Sequence, residues 1–212
     1  MSDYIQEIKL AIVNGSHKEI ETLVQNAVDA QTDPDQIVNE AMIPGMDVVG
    51  QRFSQSEIFV PEMLASAVTM NRGLDILKPI LQQSGAESKG KIVMCTVKGD
   101  LHDIGKNLVI MMLEGAGFEV IDMGVDMSVD NVIEKVKEVK PDILGLSALL
   151  TTTMSEMVKV IESLEANNMR NSLKVMVGGA PLDAAFGEKI GADGYGRDAA
   201  HAVQVARSLI AS

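Results

Sequence analysis

The chain of 212 residues carries 30 acidic against 18 basic side chains, a net charge of −12 with no basic block, which argues against nucleic acid as a partner. Hydrophobic residues make up 46%, which fits a globular fold with room for two small domains, and no apolar stretch approaches the roughly 20 residues of a membrane span. Met1-Ser-Asp-Tyr-Ile-Gln-Glu7 lacks the basic start of a secretory signal, so a cytoplasmic location without a membrane partner is expected.

From Tyr4 to about Ser84 apolar residues recur at intervals of three and four. The groups are Ile5, Ile8, Leu10 and Ile12; Ile20, Leu23, Val24, Ala27 and Val28; Ile37, Val38, Met42, Met46, Val48 and Val49; then Met63, Leu64, Ala67, Met70, Leu74, Leu77 and Leu81. This spacing predicts four helices with short joints, a bundle-like domain over residues 1–86. Asn14-Gly-Ser16 reads as the end of the first helix and the cap of the second; Asp33-Pro34 opens the third with proline at N1, and Val60-Pro61-Glu62 opens the fourth. Gln82 to Gly90 is polar and glycine-containing, the composition of a linker.

After Gly90 short apolar runs alternate with amphipathic segments. Strands are predicted at Lys91–Val97, Phe118–Met123, Asp142–Ser147 and Leu173–Val177, with a short fifth near Asp193–Tyr195. Helices fit Ile104–Ala116, Val129–Val139, Thr153–Ala166, Leu182–Ile190 and Ala199–Ile210. The alternation predicts a flavodoxin/Rossmann-like doubly wound five-stranded parallel sheet over residues 90–212, so the fold class is α+α/β. The single cysteine, Cys95, falls inside the first strand as a small core residue and cannot form an intrachain disulfide. Fourteen methionines and no tryptophan point to adaptable apolar packing.

The loop Gly99-Asp-Leu-His-Asp-Ile-Gly105 follows the first strand, at the edge of an open α/β sheet where ligands bind. His102 can ligate a metal through one ring nitrogen if a partner fixes the proton on the other, and Asp100 is placed to do so. The same residues also fit a structural histidine with Asp100 as a helix cap. A nucleotide site lacks support, because neither G-x-G-x-x-G nor G-K-[ST] occurs here. A phospho-receiver domain of the same topology would by resemblance need an aspartate ending the third strand, where this chain has Ser147. His17, His102 and His201 have no spacing that suggests tetrahedral zinc.

Further along, 41 residues separate Gly105 from Ser147-Ala-Leu149, and 28 separate Leu149 from Gly178-Gly179. Together these resemble the cobalamin-binding signature, D-x-H-x-x-G then S-x-L then G-G, of the corrinoid proteins and of the B12 module of cobalamin-dependent methionine synthase. The amino half, with Gly45-Met-Asp-Val-Val-Gly-Gln-Arg-Phe53 and Ile58-Phe-Val-Pro-Glu-Met-Leu-Ala-Ser-Ala67, looks like the helical cap that precedes that module. By resemblance the small subunits of B12 mutases lack such a cap, and the B12 photoreceptor repressors carry a DNA-binding segment not seen here. Methyl transfer is what remains.

The resemblance implies a cobalamin or related corrinoid cofactor, in methylcob(III)alamin and cob(I)alamin states, with His102 as lower axial ligand of cobalt and Asp100 hydrogen-bonded to its other nitrogen. Thr153 stands where methionine synthase has the serine that ends a proton relay. Gly99, Leu101, Asp103, Ile104 and Gly105 complete the loop around the ligand. Ser147, Leu149, Gly178 and Gly179 would line the channel for the displaced nucleotide tail, with Thr151 and Asp198-Ala199 as further contacts. Phe53 and Val60 match hydrophobic residues that shield the methyl group. The implied function is a methyl carrier between a donor-specific methyltransferase, for methoxy aromatics, methylamines, betaines or methanol, and a second methyltransferase acting on tetrahydrofolate or coenzyme M. A reductive activase is the third implied partner. A cobalamin-sensing or storage module is the alternative, and in neither case is the chain a complete enzyme alone.

Overall fold

Pro34 opens its helix as its fixed φ and missing N–H allow, with Asp33 capping through a bond accepted from the Asp35 N–H at 3.1 Å. The structure, a computed structural model, describes residues 4–84 and 88–211, with the side chains of residues 82–84 outside the description. The chain divides into two compact units, Met1–Ser88 with Glu114–Gly117, and Lys89–Leu113 with Phe118–Ser212.

The first unit is built from α1 (Tyr4–Val13), α2 (Ile20–Asp29), α3 (Pro34–Gln36), a π-helical segment (Ile37–Met42), α4 (Ile43–Ser54) and α5 (Val60–Ser84). The segments from Pro34 to Ser54 run on as one helical rod. Pro44 cannot donate to the carbonyl four residues back, and the preceding turns widen so that the Ile43 N–H reaches Val38 O. Ile8, Ile12, Ile20, Val24, Ile37, Met42, Val49, Met63, Met70 and Leu77 form the core, and each such side chain contributes roughly 1.5–3 kcal/mol when fully buried.

Three local expectations change. Leu10 is 48% exposed, because Ile8, Ala11 and Ile12 define the buried stripe of α1. Ser16 does not cap α2; Gly15 (φ 65°) reverses the chain, a turn follows, and Glu19 takes the N-cap position without a side-chain bond. Gln82–Ser84 continue α5 rather than opening the linker, while residues 85–87 of that expected linker lie outside the described residues.

From Lys91 onward, apart from a 3-10 turn at Arg170–Ser172, the chain alternates β1 (Lys91–Thr96), α6 (Ile104–Gly115), β2 (Glu119–Asp122), α7 (Val129–Val139), β3 (Ile143–Ser147), α8 (Met154–Ala166), β4 (Lys174–Gly178), α9 (Ala184–Lys189), β5 (Gly194–Gly196) and α10 (Ala199–Ile210). All strand pairs are parallel, in the order β2-β1-β3-β4-β5, the flavodoxin-like arrangement. The central strands β1, β3 and β4 are buried on both faces, which is why they read as continuous apolar runs, whereas β2 and β5 lie at the edges. Cys95 is fully buried in β1. Helix α9 starts at Ala184 because Asp183 caps it, accepting from the Phe186 N–H at 2.8 Å. No helix among the described residues is long and apolar enough to cross a membrane.

Candidate functional site

The sheet register places Thr96 opposite Ser147, Ser147 opposite Gly178 and Gly178 opposite Gly196. These four residues form one row across the carboxyl rim, so the loops after β1, β3 and β4 leave the sheet side by side. Segments distant in the sequence, around Thr96, Ser147 and Gly178, thereby share one site.

Asp100 is the centre of it. Its carboxylate is fully buried and accepts the His102 N–H at 3.1 Å on Oδ1, and the Leu149 N–H at 2.7 Å and Leu150 N–H at 3.2 Å on Oδ2. The Thr153 hydroxyl lies 2.9 Å from Oδ2 and equally near the Leu150 carbonyl. Burial by itself pushes the Asp100 carboxyl up, but the bonds from Leu149, from the His102 ring and backbone and from Thr153 outweigh it, holding the group well below the usual carboxylate range. A charged acceptor surrounded by donors in a dry site is a rigid device.

His102 Nδ1 stands 2.6 Å from Asp100 Oδ1, while half of the histidine side chain is exposed. Thr96, buried at the end of β1, donates its hydroxyl to the His102 carbonyl at 2.9 Å, so backbone and ring are both held. With Nδ1 engaged by a carboxylate, Nε2 is the nitrogen left to act as a donor toward a metal. The loops that carry His102 and that bind Asp100 expose apolar side chains: Leu101, Ile104, Leu149 and Leu150 are between 40% and 77% accessible. Gly105 leaves open space, since an added Cβ would meet no atom within 4 Å. A single half-exposed imidazole between loops that expose apolar side chains suits a metal that brings its other ligands with it, and a cobalt corrinoid is such a group.

Comparison with known proteins carries the same direction. A family model described as "B12 binding domain" matches residues 90–204, and a second with the same description matches residues 4–78. A corrinoid protein of Desulfitobacterium hafniense is 42% identical over 97% of both chains, and a dimethylamine corrinoid protein of Methanosarcina acetivorans is 41% identical over 99% of this chain and 98% of its own. The chain belongs to the B12-binding corrinoid proteins. Among solved structures, a cobalamin-binding protein of D. hafniense superposes with a TM-score of 0.82 at 34% identity, covering 99% of each chain. The methanol:cobalamin methyltransferase complex of Methanosarcina barkeri contains a chain that superposes with a TM-score of 0.86 at 33% identity, over 100% of this chain and 81% of that one.

In this corrinoid protein the cofactor is a cobalamin or related corrinoid, and the fold joins some of the expected site residues directly and leaves others apart. Asp100, His102, Leu149 and Thr153 are joined by direct hydrogen bonds, and Ser147 and Gly178 by strand register. Gly99 has φ 81° at the turn before Asp100, while Asp103 accepts the Asn107 N–H into the first turn of α6. Gly179 is set by the fold itself: at φ 137° an added Cβ would fall 1.8 Å from Ala148 O, so the close approach is to protein backbone. Thr151 is exposed in the β3–α8 loop. Asp198 caps α10 through the His201 N–H and pairs with Arg197, and Ala199 is buried behind it; neither bonds to the Asp100 cluster. In the helical unit Phe53 is half-buried on α4 and Val60 is exposed at the start of α5.

Several contributors have no signature in the sequence. Thr96, the Leu150 N–H and Asp126 act through contacts that only the tertiary fold creates. Lys106 is buried and bonded to Asp122 at 2.6 Å and Asn107 at 2.9 Å, and its only sequence signal is its place two residues after Ile104 at the helix start. Among the described residues of the helical unit, Phe59, 67% exposed, is the most accessible large apolar side chain.

Proposed function

We propose that this corrinoid protein is a methyl carrier, loaded by a methyltransferase specific for a small methylated donor and unloaded by a second methyltransferase acting on tetrahydrofolate or coenzyme M. The observation that carries the reading is His102, half-exposed with Nδ1 fixed by a buried carboxylate. Support for methylated amines or methanol as donors comes from full-length relatives named dimethylamine and trimethylamine corrinoid proteins and from the methanol:cobalamin methyltransferase complex.

When bound, the corrinoid supplies a cobalt centre that takes up a methyl group from one substrate and releases it to another. His102 would hold that metal through Nε2. Asp100 would keep the proton on Nδ1, fixing the tautomer and raising the basicity of the imidazole. Thr153, donating to Asp100 Oδ2, would hold the carboxylate against rotation. Leu101, Ile104, Leu149 and Leu150 would supply apolar cover against water where the cofactor binds, and Ser147, Gly178 and Gly179 would flank its tail.

Reconstitution with cobalamin and reduction to Co(II) tests the ligand, because an axial imidazole splits the electron paramagnetic spectrum through its nitrogen. The signal is expected in the unmodified protein and lost in His102→Ala. Methyl exchange on adding a donor methyltransferase with methanol or dimethylamine tests the carrier role. Cobalamin binding without exchange with any such enzyme would instead fit a sensing or storage module.

A further inference from the structure

We propose that Asp126, in the turn after β2, is the positioning residue that sets Asp100 and through it the lower ligand, an inference that rests on His102 binding the metal. Asp126 Oδ1 accepts the Gly99 N–H at 2.7 Å, and the Asp126 N–H donates to the Asp100 carbonyl at 3.0 Å. A single residue thus grips the chain on both sides of the Gly99–Asp100 pair. Both members of the grip are in the left-handed region, Gly99 at φ 81° and Asp126 at φ 55°. For a non-glycine residue that conformation is unfavourable and persists where surrounding contacts determine it, commonly at functional sites.

The turn that presents Asp126 is itself anchored. The Gly124 N–H donates to Asp122 Oδ1 at 2.8 Å, and the same oxygen binds the buried Lys106 ammonium. The Gly124 carbonyl accepts the Thr96 N–H at 3.0 Å, and the Met127 N–H donates to the Thr96 carbonyl at 3.0 Å. Thr96 is the residue whose hydroxyl holds the His102 carbonyl. Asp126 therefore stands on a frame tied to the same strand end as the ligand, exposed to solvent on its outer side yet fixed by its bonds. Nothing in this frame needs a carboxylate at position 126 for packing. Its chemistry is used only at the ligand loop.

The test compares Asp126→Ala, Asp126→Gly and Asp126→Asn with His102→Ala in full-length protein reconstituted with cobalamin and reduced to Co(II). The readouts are the fraction of cobalt showing imidazole-nitrogen splitting at neutral pH and the melting temperature. Alanine removes the acceptor and disfavours the left-handed backbone; glycine removes the acceptor but restores the backbone; asparagine keeps an acceptor oxygen and tolerates that backbone. The ratio of histidine-ligated to unligated cobalt should fall roughly tenfold in both Asp126→Ala and Asp126→Gly, as for a lost hydrogen bond to a charged group, and stay near the unmodified value in Asp126→Asn. Unchanged ligation in Asp126→Gly would show that backbone conformation alone matters and overturn the inference. Equal losses in Asp126→Asn and Asp126→Ala would overturn it too, by removing the hydrogen-bond account. Nitrogen splitting that survives in His102→Ala would sink the ligand assignment itself, an outcome distinct from failure of the clamp.

Discussion

The Leu149 N–H donates to Asp100 Oδ2 at 2.7 Å, and this bond ties the loop after β3 to the loop after β1. It gives a physical reason for the fixed interval between the D-x-H and S-x-L motifs: the strand register sets Ser147 against Thr96, and two residues beyond it the backbone reaches the carboxylate. Replacing Asp100 by Asn would turn an amide NH2 toward donors on one side or the other, since the Leu149 and Leu150 N–H groups face Oδ2 and the His102 N–H groups face Oδ1. Asp100→Asn is expected to lower stability by about 2 kcal/mol or more in denaturant unfolding, because a buried donor loses its partner. A variant as stable as the unmodified protein would show that the buried charge is not what the loop is built around.

Gly105 offers a probe that separates cofactor space from protein space. An added Cβ there meets no protein atom within 4 Å, and leucine is a better helix former than glycine by about 0.8 kcal/mol. Gly105→Leu should therefore keep or raise the melting temperature while weakening cobalamin binding in equilibrium dialysis. Full affinity would place the corrinoid elsewhere. Gly179→Leu cannot serve this purpose, since its Cβ would collide with the Ala148 carbonyl whether or not a cofactor is bound.

The sheet was legible because parallel strands buried on both faces appear as short apolar runs, and the five strands and five α-helices between Lys91 and Ile210 lie within about two residues of where periodicity puts them. Asp33-Pro34 and Val60-Pro61 were legible as helix starts, since proline removes one N–H and fixes φ. Ser16 misled: a serine near a helix start is a cap only if the backbone turns at that residue, and here the turn runs on to Glu19. At the site, Asp100 and His102 could be paired from their spacing. Asp126 could not, because its two bonds cross between loops and leave no periodic trace. Gly179 was recognisable as necessary, but the backbone it approaches is identified only by the fold.

Thr153 separates hydroxyl chemistry from packing. Its Oγ1 is 2.9 Å from Asp100 Oδ2 and the residue is 6% exposed. Thr153→Val keeps the shape and removes the donor, and is expected to cost about 1.5–3 kcal/mol and to reduce the imidazole-nitrogen signal. Thr153→Ser keeps the donor and loses one methyl group, about 1 kcal/mol of stability, with the spectrum unchanged. Should serine and valine variants give the same reduced signal, the methyl group rather than the hydroxyl would be the part that matters.

Cys95 predicts how stability depends on alkaline pH. Burial pushes its thiol up to about 12, partly offset by the Lys106 charge and reinforced by Asp122. An exposed thiol titrates near 9.0, so between that pH and about 12 the unfolded chain releases a proton that the folded chain keeps. Folding stability contributed by this group is complete below the lower value and falls by roughly 1.4 kcal/mol per pH unit through the window. Cys95→Ala removes the group, at the cost of a small cavity, and should flatten the alkaline slope by about that amount when unfolding is followed in urea at pH 9 and pH 10. At pH 8 the native thiol should resist alkylation, which requires the thiolate, until denaturant exposes it. Equal alkaline slopes in the two proteins, or rapid labelling of the folded protein, would mean that β1 opens to solvent and that Cys95 is not the sealed core group its burial describes.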